Sequence, residues 1–242
     1  MDARPAPAAL ARGKRHNVGA DYGENRLIVF VRSPVKGEVK TRLAKTIGDE
    51  ATLALYRCFV SDTLATIRLA GYPAVAFFYP PEAFEAVRDW LGNDITCVPQ
   101  EGGDLGERML AAFRKAFVGC SRAVLVGSDC PDLPPGLLHE AFNGLKTHDA
   151  VIGPAGDGGY YLIGFNSAGF LEAPFGGIEW GGPKVFEDTV AILRENGVDV
   201  RMLPPWNDID EYDDLRALYD RQNSLPPGRL STMDFLRNRL HW

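Results

Sequence analysis

Short apolar runs alternate with amphipathic stretches along most of the chain. The runs span four or five residues each and are rich in branched and aromatic side chains, which is typical of strands buried on both faces of a parallel sheet. The intervening stretches repeat their apolar side chains at helical spacing. This alternation predicts an α/β domain with strands at 27–31, 74–78, 95–98, 123–126, 150–153, 161–165 and 200–203.

The clearest predicted helix follows the first strand. Its apolar residues recur three or four positions apart, Asp49 is predicted to cap it, and Gly71 and Pro73 end it. A helix that starts at residue 104 is predicted to bury Leu105, and Asp210 is predicted to cap the helix after the last strand. Further helices are predicted at 82–91, 135–145, 183–196 and 232–240.

Composition limits the classes of protein to which the chain can belong. Its 242 residues are 45% hydrophobic and 24% charged, which fits one domain, predicted over 26–242. Residues 1–25 are rich in Ala, Pro, Gly and Arg and predict a disordered tail without the apolar segment of a signal peptide. No apolar run is long enough to span a membrane.

The net charge and the cysteine spacing limit the possible classes of partner and the possible cellular compartment. The net charge is -6 and no basic patch recurs along the chain, so the charge indicates no nucleic-acid partner. The four cysteines show no metal-binding or redox spacing and are typical of reduced thiols, which favours a cytoplasmic protein.

Two carboxylates follow the fourth predicted strand. Gly127, Ser128, Asp129 and Asp132 lie on the loop that leaves this strand, and ligands of open α/β sheets bind at that edge. Paired carboxylates suit Mg²⁺ or Mn²⁺. The alternative is that Asp129 closes a turn and Asp132 caps the next helix.

A basic loop follows the first predicted strand. It carries Arg32, Lys36, Lys40 and Arg42 against a single acidic residue, Glu38. Such a loop after a first strand can cradle phosphate groups, although the alternative of a solvated basic loop stays open. It is not a Walker A loop, because the pattern of that motif is absent.

Three further polar positions are candidates for the same site. Arg108 follows a glycine-rich stretch and could reach a base or a phosphate, or simply belong to a glycine-rich helix entry. Asp157 lies in a glycine-rich turn that is also a strong hairpin signal. Glu179 lies on a later loop, and Asp208 lies just before the predicted cap at Asp210.

These motifs occur in the order of a known family. The basic loop, Ser128-Asp129-Cys130-Pro131-Asp132, Gly156-Asp157-Gly158-Gly159-Tyr160 and Asn207-Asp208-Ile209-Asp210 follow one another. In this the chain resembles small bacterial nucleotide-diphospho-sugar transferase-like proteins of the GT-A superfamily, which are described as glycosyltransferases and in part linked to arsenosugar synthesis.

The resemblance implies a three-layer α/β/α sandwich with a mostly parallel sheet and a nucleotide over the carboxyl ends of its first strands. Asp129 matches the metal-binding Asp-x-Asp element of the superfamily, but Asp132 comes three residues later rather than two. Asp208 and Asp210 match a later acidic segment that in some relatives supplies a second metal or acceptor contact.

The leading hypothesis is a glycosyltransferase that depends on Mg²⁺ or Mn²⁺ and transfers a sugar from a nucleotide-sugar to a small acceptor. The basic loop, Arg108 and Ser128 would bind the nucleotide, Asp129, Asp132 and Asp208 the metal, and Asp157 or Glu179 would be the general base. One alternative is a guanylyltransferase-like nucleotidyltransferase that acts on a phosphorylated acceptor. The other is a nucleotide-binding protein without catalytic activity.

Overall fold

One seven-stranded sheet organises the fold. The structure is a computed structural model that describes residues 23–224 and 230–240. The strand order is β3-β2-β1-β4-β6-β5-β7, and only β6 runs antiparallel to its neighbours. The predicted, mostly parallel sheet is therefore confirmed. Its strands are β1 (Asn25–Arg32), β2 (Ala74–Tyr79), β3 (Thr96–Pro99), β4 (Arg122–Val126), β5 (Ala150–Pro154), β6 (Tyr160–Asn166) and β7 (Val200–Met202).

Helices cover both faces of this sheet. Within the described residues they are α1 (Thr41–Ile47), α2 (Asp49–Ala70), α3 (Phe84–Leu91), α4 (Leu105–Ala116), α5 (Pro135–Gly144), α6 (Val185–Glu195), α7 (Tyr212–Asn223) and α8 (Ser231–Arg239). Single 3-10 turns form at Pro81–Ala83 and Ala173–Phe175. The helix α1 was not predicted, because it is short and begins inside the basic loop.

The strand residues alternate between two cores, as the period of a strand requires. Leu27 and Val29 of β1 pack with α2, α3 and α5 on one face. Ile28 packs on the other face with side chains of α4 and α6. A third apolar cluster joins α1 and α2 to α7 and α8. The arrangement is the α/β/α sandwich that the resemblance implied.

Three local predictions are wrong in detail. Gly48 is the N-cap residue of α2, and Asp49 is its first helical residue. Glu211 caps α7 in a capping box with Asp214, so Asp210 precedes the cap instead of forming it. Leu105 is largely exposed and lines a cavity, because the buried face of α4 begins one residue later.

Residues 1–22 of the predicted tail lie outside the part of the chain that the structure describes. Its predicted end at residue 25 is two residues late, since Asn25 already begins β1 and Glu24 accepts a hydrogen bond from Arg122 at 2.9 Å. None of the described helices is both long enough and apolar enough to cross a membrane. All four cysteines are free thiols, as predicted.

Asp62 of α2 holds the last helix in place. Its buried carboxylate accepts hydrogen bonds from the backbone N–H groups of Ser231 and Thr232, at 2.7 and 2.9 Å, at the start of α8. We expect Asp62→Ala to lower the free energy of unfolding by about 1–3 kcal/mol, since two buried donors lose their acceptor. Urea unfolding measures this loss. The exposed Asp94→Ala is the control, and an equal change in both variants would contradict the capping role.

Candidate active site

A cavity of about 570 Å³ opens at the carboxyl ends of β1, β2 and β4. The basic loop closes one side of it, and the start of α4 closes another. Among the predicted site residues, six contribute to its wall: Arg32, Lys40, Arg42, Arg108, Ser128 and Asp129. The edge of the sheet that the strand pattern indicated therefore carries a cavity lined by the expected kinds of side chain.

An acidic trio adjoins this cavity. Carboxylate oxygens of Asp157, Asp208 and Asp210 lie within 4.8 Å of one another, and Asp210 also lines the cavity. Three carboxylates supply the hard oxygen ligands that Mg²⁺ and Mn²⁺ prefer. The donor set of the acidic trio therefore fits a divalent cation.

The turn between β5 and β6 positions Asp157. It is a hairpin, as the alternative interpretation of this segment predicted, because β5 and β6 pair antiparallel. The Asp157 carboxylate accepts a hydrogen bond from the backbone of Gly159 at 2.8 Å, which fixes the side chain in the turn. At Gly158 φ is 90°, and a Cβ there would lie 2.0 Å from the carbonyl oxygen of Pro183. Only glycine fits so close an approach.

A buried isoleucine positions the other two members of the trio. Ile209 is 1% exposed and packs into the cluster formed by α1, α2, α7 and α8. Its backbone N–H donates to the carbonyl oxygen of Asp129 at 3.0 Å. Asp208 and Asp210 flank Ile209 in the chain, so this anchor brings both of them to the end of β4.

The trio carries more negative charge than its surroundings neutralise. Burial, together with the charges of Asp210 and Asp157, raises the pKa of Asp208 to about 6, while Lys40 opposes the shift. A divalent cation bound among these carboxylates would relieve the repulsion between them.

Lys40 lies between two carboxylates. Its Nζ is 2.9 Å from Asp129 Oδ1 and 2.6 Å from Asp210 Oδ1, and its side chain is 7% exposed. Burial alone would lower the pKa of Lys40, but the charges of Asp129 and Asp210 outweigh it and raise that pKa. The φ of Lys40 is 45°, the one positive value at a non-glycine residue in the described chain, which costs about 1–2 kcal/mol.

Two arginines flank an aromatic ring on the cavity wall. The Arg108 guanidinium lies 3.8 Å from the centre of the Tyr79 ring, and that of Arg32 lies 5.7 Å from it. Arg108 also donates to the carbonyl oxygens of Gly102 and Gly103, at 3.1 and 3.3 Å. These contacts hold the two cations at the cavity, and among residues 23–224 and 230–240 no carboxylate forms a salt bridge with either of them.

Comparisons with known proteins show the family and the fold of the chain. The profile of DUF2064, a family of uncharacterized proteins conserved in bacteria, matches residues 63–182. A crystal structure from Desulfovibrio desulfuricans G20, provisionally named a nucleotide-diphospho-sugar transferase, is 40% identical in sequence. The match covers 90% of this chain and 96% of that one, with a TM-score of 0.87. The chain belongs to the DUF2064 family. The predicted resemblance to nucleotide-diphospho-sugar transferase-like proteins is thereby confirmed.

More distant structures share the fold of the DUF2064 chain. One is a Mycobacterium tuberculosis H37Rv protein in complex with manganese, at 19% identity and a TM-score of 0.50, over 82% of this chain and 98% of that one. Another is a nucleotidyl transferase from Methanothermobacter, at 16% identity and a TM-score of 0.57, over 82% and 97%. A comparison with curated proteins finds no match.

Three predicted site residues of the DUF2064 chain lie apart from the acidic trio and the cavity wall. Lys36 is exposed and pairs with Glu50 of α2. Glu179 is exposed on the loop that precedes α6. Asp132 is turned away from the cavity, and both of its oxygens accept hydrogen bonds from the protein. The predicted roles of these three residues gain no support from their positions.

The environment of Asp132 explains its position. Its side chain is 1% exposed. One carboxylate oxygen accepts from Trp206 Nε1 at 3.1 Å. The other accepts from Arg221 Nε and Nη2, at 2.9 and 2.7 Å, and from Gln222 Nε2 at 3.0 Å. Asp132 therefore ties the loop after β4 to α7 instead of capping α5, the alternative suggested by its sequence position.

Two residues of the DUF2064 site were missed by the sequence interpretation. Tyr79 ends β2 and packs against Arg32 and Arg108; an aromatic residue at the carboxyl end of a parallel strand was the available signal. Tyr56 was assigned only to the buried face of α2. Its hydroxyl lies 3.4 Å from Ser128 Oγ and accepts from the backbone N–H of Arg32 at 2.8 Å.

Proposed function

We propose that this DUF2064 protein is a divalent-metal-dependent glycosyltransferase that moves a sugar from a nucleotide-sugar donor to a small acceptor. The observation that carries the proposal is the acidic trio beside a cavity of about 570 Å³ that also exposes guanidinium groups. The fold of the Desulfovibrio protein and its provisional name support a nucleotide-sugar donor. The manganese complex of the Mycobacterium protein of the same fold supports a metal.

The charges of the site suit the departure of a nucleoside diphosphate. Asp157, Asp208 and Asp210 would hold Mg²⁺ or Mn²⁺, which when bound neutralises the charge that builds on the leaving diphosphate. Arg32 and Arg42 line the same cavity and would donate hydrogen bonds to the phosphate oxygens. We assign Asp157 to the metal, and Glu179, which lies outside the cavity wall, has no part in this proposal.

Nucleotidyl transfer is the competing reaction at the same residues. The Methanothermobacter protein shares the fold and bears that name. The two reactions break different bonds. Glycosyl transfer releases a nucleoside diphosphate, whereas nucleotidyl transfer from a nucleoside triphosphate releases pyrophosphate.

The test is a panel of nucleotide-sugars and nucleoside triphosphates with Mn²⁺ and a mixture of small hydroxyl and phosphate acceptors. Release of nucleoside diphosphate from one nucleotide-sugar, abolished by a chelator, is the expected result. Release of pyrophosphate alone would favour nucleotidyl transfer. Binding that raises the melting temperature, with no turnover of any donor, would favour a nucleotide-binding protein without catalytic activity.

Arg42 provides a test of the diphosphate position. It is exposed, lines the cavity and lies 4.0 Å from the nearest carboxylate oxygens. We expect Arg42→Ala to weaken nucleoside diphosphate binding about tenfold or more, since a hydrogen bond to a charged group contributes about 1.5–3 kcal/mol. Calorimetry with the diphosphate and the bare nucleoside measures the difference.

The matched control is Lys36→Ala, which removes a cation of the same loop that pairs with Glu50 outside the cavity. It should leave both affinities unchanged. Equal losses for nucleoside and diphosphate in Arg42→Ala would contradict the phosphate contact.

A further inference from the structure

Four carboxylates and one buried ammonium meet beside the cavity. Asp129 joins the acidic trio through Lys40, which contacts both Asp129 and Asp210. Sequence reasoning assigned Lys40 to phosphate binding, but its Nζ is directed at carboxylates. The position between Asp129 and Asp210 is therefore already held by a positive charge that belongs to the protein.

We propose that Lys40 serves as a built-in cation between Asp129 and Asp210, so that the site binds a single divalent cation, in the acidic trio, and not a pair. The inference rests on the proposed function in one respect, the use of a divalent metal. It goes beyond that function because it fixes how many metal ions the site takes and which residue sets the number.

The Lys40 ammonium opposes the binding of a second cation between Asp129 and Asp210. A divalent ion that bridged Asp129 and Asp210 would compete with Nζ for two carboxylates that it already contacts through their Oδ1 atoms, at 2.9 and 2.6 Å. It would then lie close to the Lys40 ammonium, whose side chain is 7% exposed, and two positive charges at so short a distance repel each other. The trio has other oxygens, on Asp157 and Asp208, that Lys40 does not contact.

The backbone holds Lys40 in this position. Val39 and Leu43, on either side of it, are 3% and 1% exposed, and their burial fixes the position of this part of the loop. Lys40 itself has the left-handed conformation that an L-residue rarely adopts. Such strain persists where the surroundings determine it, and it often accompanies function. Here it directs the side chain inward, to both carboxylates.

The experiment counts bound metal with Mn²⁺ alone, by the loss of the free-ion electron paramagnetic resonance signal, in wild type and Lys40→Met. Methionine has an unbranched side chain nearly as long as that of lysine, and it carries no charge. We expect one Mn²⁺ in wild type and two in the variant. The two ions of the variant would lie about 4 Å apart and give a spin-coupled spectrum. The double variant Lys40→Met/Asp129→Asn should return to one ion.

The matched control is Lys36→Met, which removes the ammonium of the same loop that pairs with Glu50, and it should keep one ion. A second variant keeps the test valid if Lys40→Met does not fold. Asp129→Asn alone should retain one Mn²⁺ with an affinity within about threefold of wild type, because Asp129 pairs with Lys40 and not with the metal.

The outcomes separate this inference from the proposed function. Two ions in wild type, one ion in folded Lys40→Met, or loss of Mn²⁺ in Asp129→Asn would each overturn the role of Lys40 and leave a metal-dependent transferase standing. No Mn²⁺ in wild type would overturn both, as it would remove the metal from the proposed function.

Discussion

Asp208→Asn is expected to weaken Mn²⁺ binding at least about 100-fold and to abolish metal-dependent transfer, while the protein stays folded. The amide keeps the shape of the side chain but removes the anionic charge that holds a divalent cation. Asp208, like Asp210, is a half-buried member of the acidic trio, whereas Asp157 is exposed. Titration with Mn²⁺ measures the affinity, and thermal unfolding without metal measures the stability.

The stability of the metal-free protein sharpens this prediction. Burial and the neighbouring carboxylates raise the pKa of Asp208 to about 6 in the folded state. A carboxyl whose pKa is raised on folding destabilises the folded state once the pH exceeds its unfolded value of 3.8, and the cost is complete above about 6. Neutralising Asp208 should therefore not lower the stability at pH 7. The exposed Asp213→Asn in the first turn of α7 is the control and should bind Mn²⁺ like wild type. Unchanged Mn²⁺ affinity in Asp208→Asn would refute the metal site.

Asp132→Asn should produce the opposite result, a loss of stability with little change in metal binding. Both carboxylate oxygens of Asp132 accept hydrogen bonds, from Trp206 on one side and from Arg221 and Gln222 on the other. The side-chain amide of asparagine has one acceptor oxygen and one N–H-bearing nitrogen. On one side of residue 132, a donor of the protein would therefore face an N–H group instead of an oxygen. We expect a loss of about 2–3 kcal/mol and a fall in melting temperature of about 4–12 °C.

Asp220→Asn is the matched control, because Asp220 is exposed on the same helix as Arg221. It should melt within about 2 °C of wild type. Below its own melting temperature, Asp132→Asn should bind one Mn²⁺ as wild type does. Strong loss of Mn²⁺ binding from the folded protein would return Asp132 to the metal site.

Local patterns predicted the sheet because each buried strand carries its own signal. The run 123–126 is apolar in every position, and β4 forms there with α5 starting at the predicted Pro135. The basic loop was located correctly, but α1 within it was not, since a helix of this length has little periodicity of its own. Its formation depends on the burial of Leu43 in the third cluster.

The sequence predicted those site residues whose position is set by the end of a strand. It did not predict the positions that depend on contacts with residues far along the chain. Asp129 lies on the loop that begins where β4 ends, so its place at the cavity follows from the strand. Asp132 lies on the same loop as Asp129, yet its partner Arg221 lies 89 residues later, and no local sequence pattern predicts that contact. Likewise nothing near Lys40 in the sequence shows that its ammonium meets Asp210, 170 residues later.

The closure of α8 over Asp62 has a consequence for the synthesis of the chain. Helix α2 is synthesised before α7 and α8, and its Leu55 and Phe59 pack in the cluster that those two later helices complete. Asp62 must wait for backbone groups 169 and 170 residues later. Chains fold from the amino end as they are made, so this part of the nascent protein keeps an apolar surface exposed until α8 has been synthesised. A chaperone that recognises apolar surface would bind the nascent chain at this cluster.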